Sequence, residues 1–417
     1  MPIVLFEDEL VTQLYPITVG KPAAAISCAS YSLIELLRSF GVEPALMLRR
    51  HLREIAACDG FSVRTPCRAG VIETAANQSV VYVNARLVPS PSVVEKVIKL
   101  AGAGKPCVVR SGDEVVVAII SPDAEPRGLE SGAIDFDGLV ETVPNENSAE
   151  WPLFRYPHDV VRYNLEIFND SLSRRLQQGS YREIADGVFA AEGAKLGAYC
   201  VTEVEKGPIL LDAGATVGPH CFLRGPVYLG PASRLTEQSA LKDCVSLGHT
   251  TKIGGEVEAS VVEPYTNKQH HGFLGHSYLG SWVNLGAGTC NSDLKNTYGQ
   301  VKMDYGGKKV ATEMQFFGAI VGDYVKTAIN TGIFTGKTIG ACSMVYGFVT
   351  TNVPSFVNYA RSFGQVTEVT VEILAATQAR MFARRKVSQR LCDMRLLQDI
   401  YDLTQHERQM AGEPLAL

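Results

Sequence analysis

The stretch LDAGATVGPHCFLRGPVYLGPASRLTEQSALKDCVSLGHTTKIGGEV, residues 211–257, decides the fold. An aliphatic residue returns at every sixth position: Leu211, Val217, Leu223, Leu229, Leu235, Leu241, Leu247 and Ile253. Small or β-branched residues recur four places further on: Cys221, Val227, Ser233, Ser239, Val245, Thr251 and Val257. The same period resumes at Val321, Thr327, Ile333, Ile339 and Val345, and glycine often follows the aliphatic position, as at Gly218, Gly230, Gly248, Gly254, Gly322 and Gly340. Such a period matches neither the 3.6-residue repeat of a helix nor the two-residue alternation of a strand. It matches a triangular solenoid in which each hexad forms one flat side and its aliphatic residue points into the prism. Glycines and small residues are then expected at the corners, where the backbone turns tightly. The expectation is a left-handed parallel β-helix over residues 186–358.

The flanks read differently. IVLFEDE near the start and SVVYVNARLV around Val80 read as strands, and SYSLIELLRSFG as a helix ended by glycine. PSVVEKVIKLAGAG reads as an amphipathic helix, and CVVRSGDEVVVAII as a hairpin with a Ser-Gly-Asp turn. Strands alternating with helices predict a small α/β domain over residues 1–140. Residues 141–185 read as a linker with a connecting helix from Asp159 to Arg175, and the Pro- and Gly-rich stretch from Pro122 to Pro144 as a link or decoration. Residues 359–417 read as helical, with Arg380, Arg384, Arg385 and Lys386 on a solvated face. The fold class is therefore an α/β domain, an all-β parallel β-helix and C-terminal helices.

Composition narrows the function classes. With 46% hydrophobic and 20% charged residues, the 417-residue chain reads as two or three globular domains. A net charge of −5 argues against a nucleic-acid partner. No apolar run approaches the roughly 18–20 residues of a membrane span. MPIVLFEDEL is no signal peptide, because acids follow at once. Ten scattered cysteines without a CxxC pair suggest reduced thiols in the cytoplasm.

Unusual chemistry concentrates in NKQHHGFLGHSYLGSWVNLGAGTCNSDLKN, Asn267 to Asn296. This segment resembles the acetyltransferase half of the bifunctional glucosamine-1-phosphate N-acetyltransferase / N-acetylglucosamine-1-phosphate uridylyltransferase family. In particular it resembles a variant branch of sugar nucleotidyltransferases with a shortened N-terminal domain. KTAINTGIFTGKTIG (Lys326–Gly340), IGGEVEASVVEPYTNK (Ile253–Lys268), IVLFEDE and LVPSPSVVEKVI are similar to further parts of that branch. The resemblance implies that His270, counted back without gaps from Asn284-Leu285-Gly286-Ala287-Gly288, is the general base on a sugar amine, with Asn284 orienting the sugar or acetyl carbonyl. It implies sugar-phosphate contacts at Arg224, Lys268, Phe273, Asn291 and Lys295. The family's tyrosine is Phe273 here, and Lys268 is what remains of a lysine-rich patch. Acetyl-CoA, the implied cosubstrate, would lie along Gly286, Ala287, Gly288, Lys326 and Asn330. The family's N-terminal phosphate loop is reduced to Gly20 and Lys21, and Asn84 stands where a Mg²⁺-binding aspartate is expected. Mg²⁺ enters only if that domain is active. Sugar phosphates and nucleotides would be the small-molecule partners, in a homotrimer without nucleic acid or membrane.

Acetyl transfer to an amine requires a base near neutral pH, and histidine supplies one. Rivals remain open at this point. His270 could be a plain surface residue, Asn284 a coil-stacking asparagine, and Gly286 and Gly288 mere corner residues. His249, His271 and His276 could hold zinc as in γ-class carbonic anhydrases. The chain could also bind sugar nucleotides without catalysis.

Overall fold

The computed structural model describes residues 1–64, 79–121, 127–128, 134–135, 145–147 and 151–410. Apart from two short paired segments, the Pro122–Pro144 stretch lies outside the described residues. The N-terminal sheet contains β1 (Ile3–Phe6), β2 (Ala45–Met47), β3 (Val63–Arg64), β4 (Val80–Asn84), β5 (Cys107–Ser111) and β6 (Glu114–Ile120), in the order 3-2-1-4-6-5, with Asn145–Asn147 beside β5. β1 lies parallel to β2 and β4, whereas β4 and β5 are antiparallel to β6. Helix α1 (Leu33–Ser39) starts at a Ser32/Glu35 capping box, which satisfies two otherwise orphaned backbone donors. Helix α2 (Arg53–Cys58) precedes β3, and α3 (Pro91–Ala103) ends on Gly104 in the left-handed region. Helix α4 (His158–Gln178) leads to the solenoid.

The solenoid is a left-handed parallel β-helix with three faces. The first face runs from Arg182–Ala185 to Lys337–Ile339. The second begins at Thr216–Val217 and the third at Val201–Glu203. All eight periodic residues from Leu211 to Ile253 are buried, the most exposed being Val217 at 4%. Burying each such side chain contributes about 1.5–3 kcal/mol.

The corner expectation needs correction. Cys221, Ser233, Ser239 and Thr251 also point inward and are buried. Left-handed corner positions are taken largely by other residues, among them His220, Ala232, Gln238 and Thr250. Gly218, Gly230, Gly248 and Gly254 are absent from that left-handed set. Their role is close stacking: a Cβ on Gly230 would meet the Leu247 carbonyl oxygen at 2.5 Å, and one on Gly254 the Gln269 oxygen at 2.0 Å.

Two faces are covered by the chain itself. On the first, Phe168 and Leu172 of α4 pack on Leu210 and Tyr228, and Tyr278 and Ile320 join the N-terminal core. On the second lies α5 (Val371–Arg384), whose Phe382 ring sits 4.5 Å from Trp282. Helix α6 (Leu391–Leu403) then returns to α2 through Arg390–Asp59 at 2.7 Å and Arg395–Glu54 at 2.6 Å, and α7 (Gln405–Met410) follows. The third face exposes Val201, Phe334 and Phe348, and no helix other than the short 361–363 turn is placed on it among the described residues. Two ladder ends are antiparallel pairs: Arg182–Ala185 with Val188–Ala190 at the start of the first face, and Val357–Ala360 with Gln365–Glu368 at the end of the second. No helix among the described residues is long and apolar enough to cross a membrane.

Candidate functional site

Residues 269–272 form the edge between the second and third faces. Lys268 enters this edge from an interior slot, in register with Ile253. Its ammonium donates to the carbonyls of Gly254 (2.7 Å), His270 (3.2 Å) and Gly272 (2.7 Å). The side chain is 2% exposed, and burial pulls its pKa down to about 8. The expected phosphate contact at Lys268 is therefore corrected: its donors are spent on the corner backbone. The same bonds hold the carbonyl of His270, whose ring is exposed at the corner.

The next coil places NLGAG over this edge. Gly288 N–H donates to His271 O at 3.0 Å, Asn330 N–H to Ala287 O at 2.7 Å, and Gly286 N–H to Thr327 Oγ1 at 2.9 Å. A Cβ on Gly288, which has φ +74°, would lie 2.1 Å from Asn330 Oδ1 and 3.4 Å from His271 Nε2. Thus His271, Gly286, Ala287, Gly288 and Asn330 converge, with His270 preceding His271 on the same edge and Phe273 following: its N–H faces Cys290 Sγ at 3.4 Å.

Other expected site residues lie elsewhere. Arg224 is engaged by Asp243 at 2.5 Å, a carboxylate that also takes Lys206 at 3.2 Å, so its guanidinium is not free for phosphate. Asn291 points into the prism and bonds both backbone groups of Gly275. Lys295 donates to Gln300 O in a loop. Asn284 stands on the second face between Asn267 and Lys326, and Asn267 accepts from Arg385 at 2.5 Å. Lys326 donates to Trp282 O (2.7 Å) and Tyr324 O (3.0 Å), and burial lowers its pKa to about 7. The expected coenzyme contact at Lys326 is thus replaced by packing near α5, and Arg385 is docked rather than solvated.

The zinc alternative loses its geometry. His249 lies between the first and second faces, His271 between the second and third, and His276 between the third and first. Among the described residues no three metal-binding side chains come together.

The structure adds a pair that motif matching passed over. His276 Nδ1 lies 2.9 Å from Asp293 Oδ2, and the ring stacks on Phe316 at 5.5 Å. The signal was present: a spacing of 17 residues is one coil here, as in Leu274 to Asn291, so His276 and Asp293 share a column.

In the N-terminal domain, ion pairs fill the carboxyl ends of the parallel strands. Glu7 holds Arg49 at 2.9 Å, and fully buried Arg86 bridges Asp8 (2.5 Å) and Glu114 (2.9 Å). Asn84 donates to Asp8 at 2.8 Å. With Asp8 and Glu7 committed to guanidinium groups, these residues do not fit Mg²⁺. Lys21 is likewise no phosphate ligand. It crosses to the solenoid and meets Asp323 at 3.0 Å and Glu263 at 3.9 Å, next to Gly20 packed near Ile400.

Residues 3–177 match the family described as sugar nucleotidyl transferase. A bifunctional sugar-1-phosphate nucleotidylyltransferase/acetyltransferase from Sulfurisphaera tokodaii is 32% identical over 143 residues, 34% of this chain and 36% of that protein. Over that stretch the chain is similar to a bifunctional transferase. A bifunctional protein GlmU from Alkalilimnicola ehrlichii is 32% identical over 181 residues, 38% of this chain and 35% of its own length. The chain therefore spans about a third of the curated relatives it matches. Among solved structures, UDP-N-acetylglucosamine acyltransferase from Francisella novicida is 12% identical with a TM-score of 0.33, covering 53% of this chain and 88% of that one.

The buried lysines set a pH dependence. Their folded pKa values, about 8 for Lys268 and about 7 for Lys326, lie below the usual 10.5. The unfolded chain then binds more protons, so stability rises with pH from those values toward 10.5 and is lost as pH falls back through them. Urea unfolding of wild type and Lys268→Met between pH 8 and 10 should show the wild type gaining up to about 1.4 kcal/mol per pH unit over the variant. Parallel curves would contradict the lowered folded-state pKa and mean that Lys268 keeps its proton in the folded protein up to pH 10.

Proposed function

We propose that the β-helix is an acyltransferase that moves the acetyl group of acetyl-CoA to the amine of a hexosamine 1-phosphate in amino-sugar nucleotide metabolism. The observation that supports this reading is the convergence of His271, Gly286–Gly288 and Asn330 at one edge, on which the exposed His270 also stands. The sugar amine attacks the thioester carbonyl while His270 takes its proton. The new C–N bond forms as the C–S bond breaks, and the departing thiolate recovers a proton from the histidine. The N–H of Ala287 donates to no acceptor among the described residues and is assigned to the developing oxyanion. Lys268 acts as a positioning residue, holding the base's own carbonyl.

A second reading is favoured by the 2.9 Å contact between His276 and Asp293, in which the carboxylate orients the base. Nucleotidyl transfer would require Glu7 and Asp8 to leave their arginines, so the N-terminal domain enters the proposal as a docking and sugar-nucleotide recognition element. The exposed apolar residues of the third face support assembly into a homotrimer, with the edge completed by a second copy. We place the protein in the cytoplasm.

The test is thiol release from acetyl-CoA in the presence of glucosamine 1-phosphate. Release matched by N-acetylated sugar phosphate is expected. A folded sample that releases none would sink this substrate assignment and leave the non-catalytic binding reading.

A further inference from the structure

We propose that the cleft between the Lys302–Ala311 hairpin, residues 12–16 and the last coils binds a diphosphate group carried by an organic moiety, such as a nucleoside diphosphate. The cleft encloses about 1080 Å³. Its lining includes Lys295, Lys302, Lys308, Lys309 and Lys337 against two carboxylates, Asp304 and Glu407. Those carboxylates already accept backbone N–H groups, Asp304 from Gly307 at 2.8 Å and Glu407 from Ser355 at 2.8 Å. None of the five lysines forms an ion pair among the described residues.

The fold holds these charges together. Strands Lys302–Tyr305 and Lys308–Ala311 pair across a Gly306-Gly307 turn, both glycines at positive φ, with open space where their Cβ atoms would be. Met303 is buried, and Tyr305 is fixed by a 2.9 Å bond from its hydroxyl to His158, so one side of the hairpin is anchored. Its lysines are left at the rim facing Lys337. Burial lowers the pKa of Lys337, Asp304 opposes that shift, and the like charges of Lys309 and Lys295 reinforce it. A cluster that repels itself inside a concave wall lowers its energy by taking up an anion, and adjacent phosphoryl groups match several ammonium donors at once.

Size decides between bare and substituted diphosphate. Small-molecule pockets span roughly 300–1,000 Å³, and this cleft, at about 1080 Å³, slightly exceeds that range, leaving room beyond the phosphates for a nucleoside. The inference is independent of the acyl-transfer reading, because the cleft borders neither His270 nor His276.

Calorimetric titration of the full chain at low salt with UDP, ADP, pyrophosphate and orthophosphate tests it. A nucleoside diphosphate should bind, with pyrophosphate weaker by about tenfold or more. Lys308→Ala/Lys309→Ala, at an exposed turn, should weaken nucleotide binding about tenfold or more without moving the melting temperature. Lys337→Met provides a second variant on the opposite wall. No binding by UDP or ADP would overturn the proposal, as would nucleotide binding indifferent to both variants. Pyrophosphate binding as tightly as UDP would overturn the organic moiety and leave a free-pyrophosphate site.

Discussion

Replacing Lys21 by methionine is expected to destabilise the protein by about 3–5 kcal/mol, because it strands two buried carboxylates without a counter-charge. Asp323 and Glu263 have side chains only 7% and 3% exposed. The wild type offsets their burial with Lys21, with Ser281 N–H on Asp323 at 2.7 Å, and with Tyr278 and Ser27 on Glu263. Burial already raises the pKa of Asp323, and Lys21 opposes that rise. Without the lysine the folded-state value climbs further above the unfolded one. Stability is then retained at low pH and lost as pH rises through the folded value. Urea unfolding of Lys21→Met should therefore show a deficit that is larger at pH 8 than at pH 5. The lysine also joins the N-terminal sheet to the solenoid, so the variant should unfold in two steps rather than one. A deficit under about 1 kcal/mol would reduce the bridge to a surface-like pair.

The second large effect is catalytic. His270→Ala is expected to lower kcat for thiol release by about 10²–10³ with little change in KM, the usual loss when a general base is removed. His276→Ala should cost less than about tenfold, since its loss then leaves the base in place. The reverse ranking, with Asp293→Asn following His276→Ala, would move the base to the histidine–aspartate pair. Equal losses would mean that both histidines face one substrate across the third face. Circular dichroism of each variant separates loss of chemistry from loss of fold.

The solenoid was legible because its period is set by geometry: one flat side takes six residues, so inward positions recur whatever the function. Corner chemistry was less legible. Glycine was expected to turn the chain, whereas neighbouring coils approach so closely at Gly230 and Gly254 that no Cβ fits. The motif count points to the edge at residues 269–272, where His271 meets the NLGAG loop, but it could not reveal that Lys268 occupies an aliphatic slot. Its phosphate role followed from residue type, and its inward direction follows from register with Ile253. Arg224 and Lys21 illustrate the same limit from another side. Their partners, Asp243 and Asp323, lie one coil or about three hundred residues away, and a charged side chain advertises its availability only until its partner is placed. His276 and Asp293 could have been paired from sequence by applying the coil length to polar residues as well as aliphatic ones.

The antiparallel pairs at two of the ladder ends bear on solubility. A parallel stack of like rungs exposes, at its last rung, a row of unpaired N–H and C=O groups able to seed another copy end to end. Here the chain folds back on itself at Arg182–Ala185 and at Gln365–Glu368, reversing strand direction where a newcomer would have to continue it. Each reversal leaves an antiparallel strand as the edge, in place of a parallel rung that a like copy could continue. A second copy meeting either of these two ends finds no parallel rung to extend.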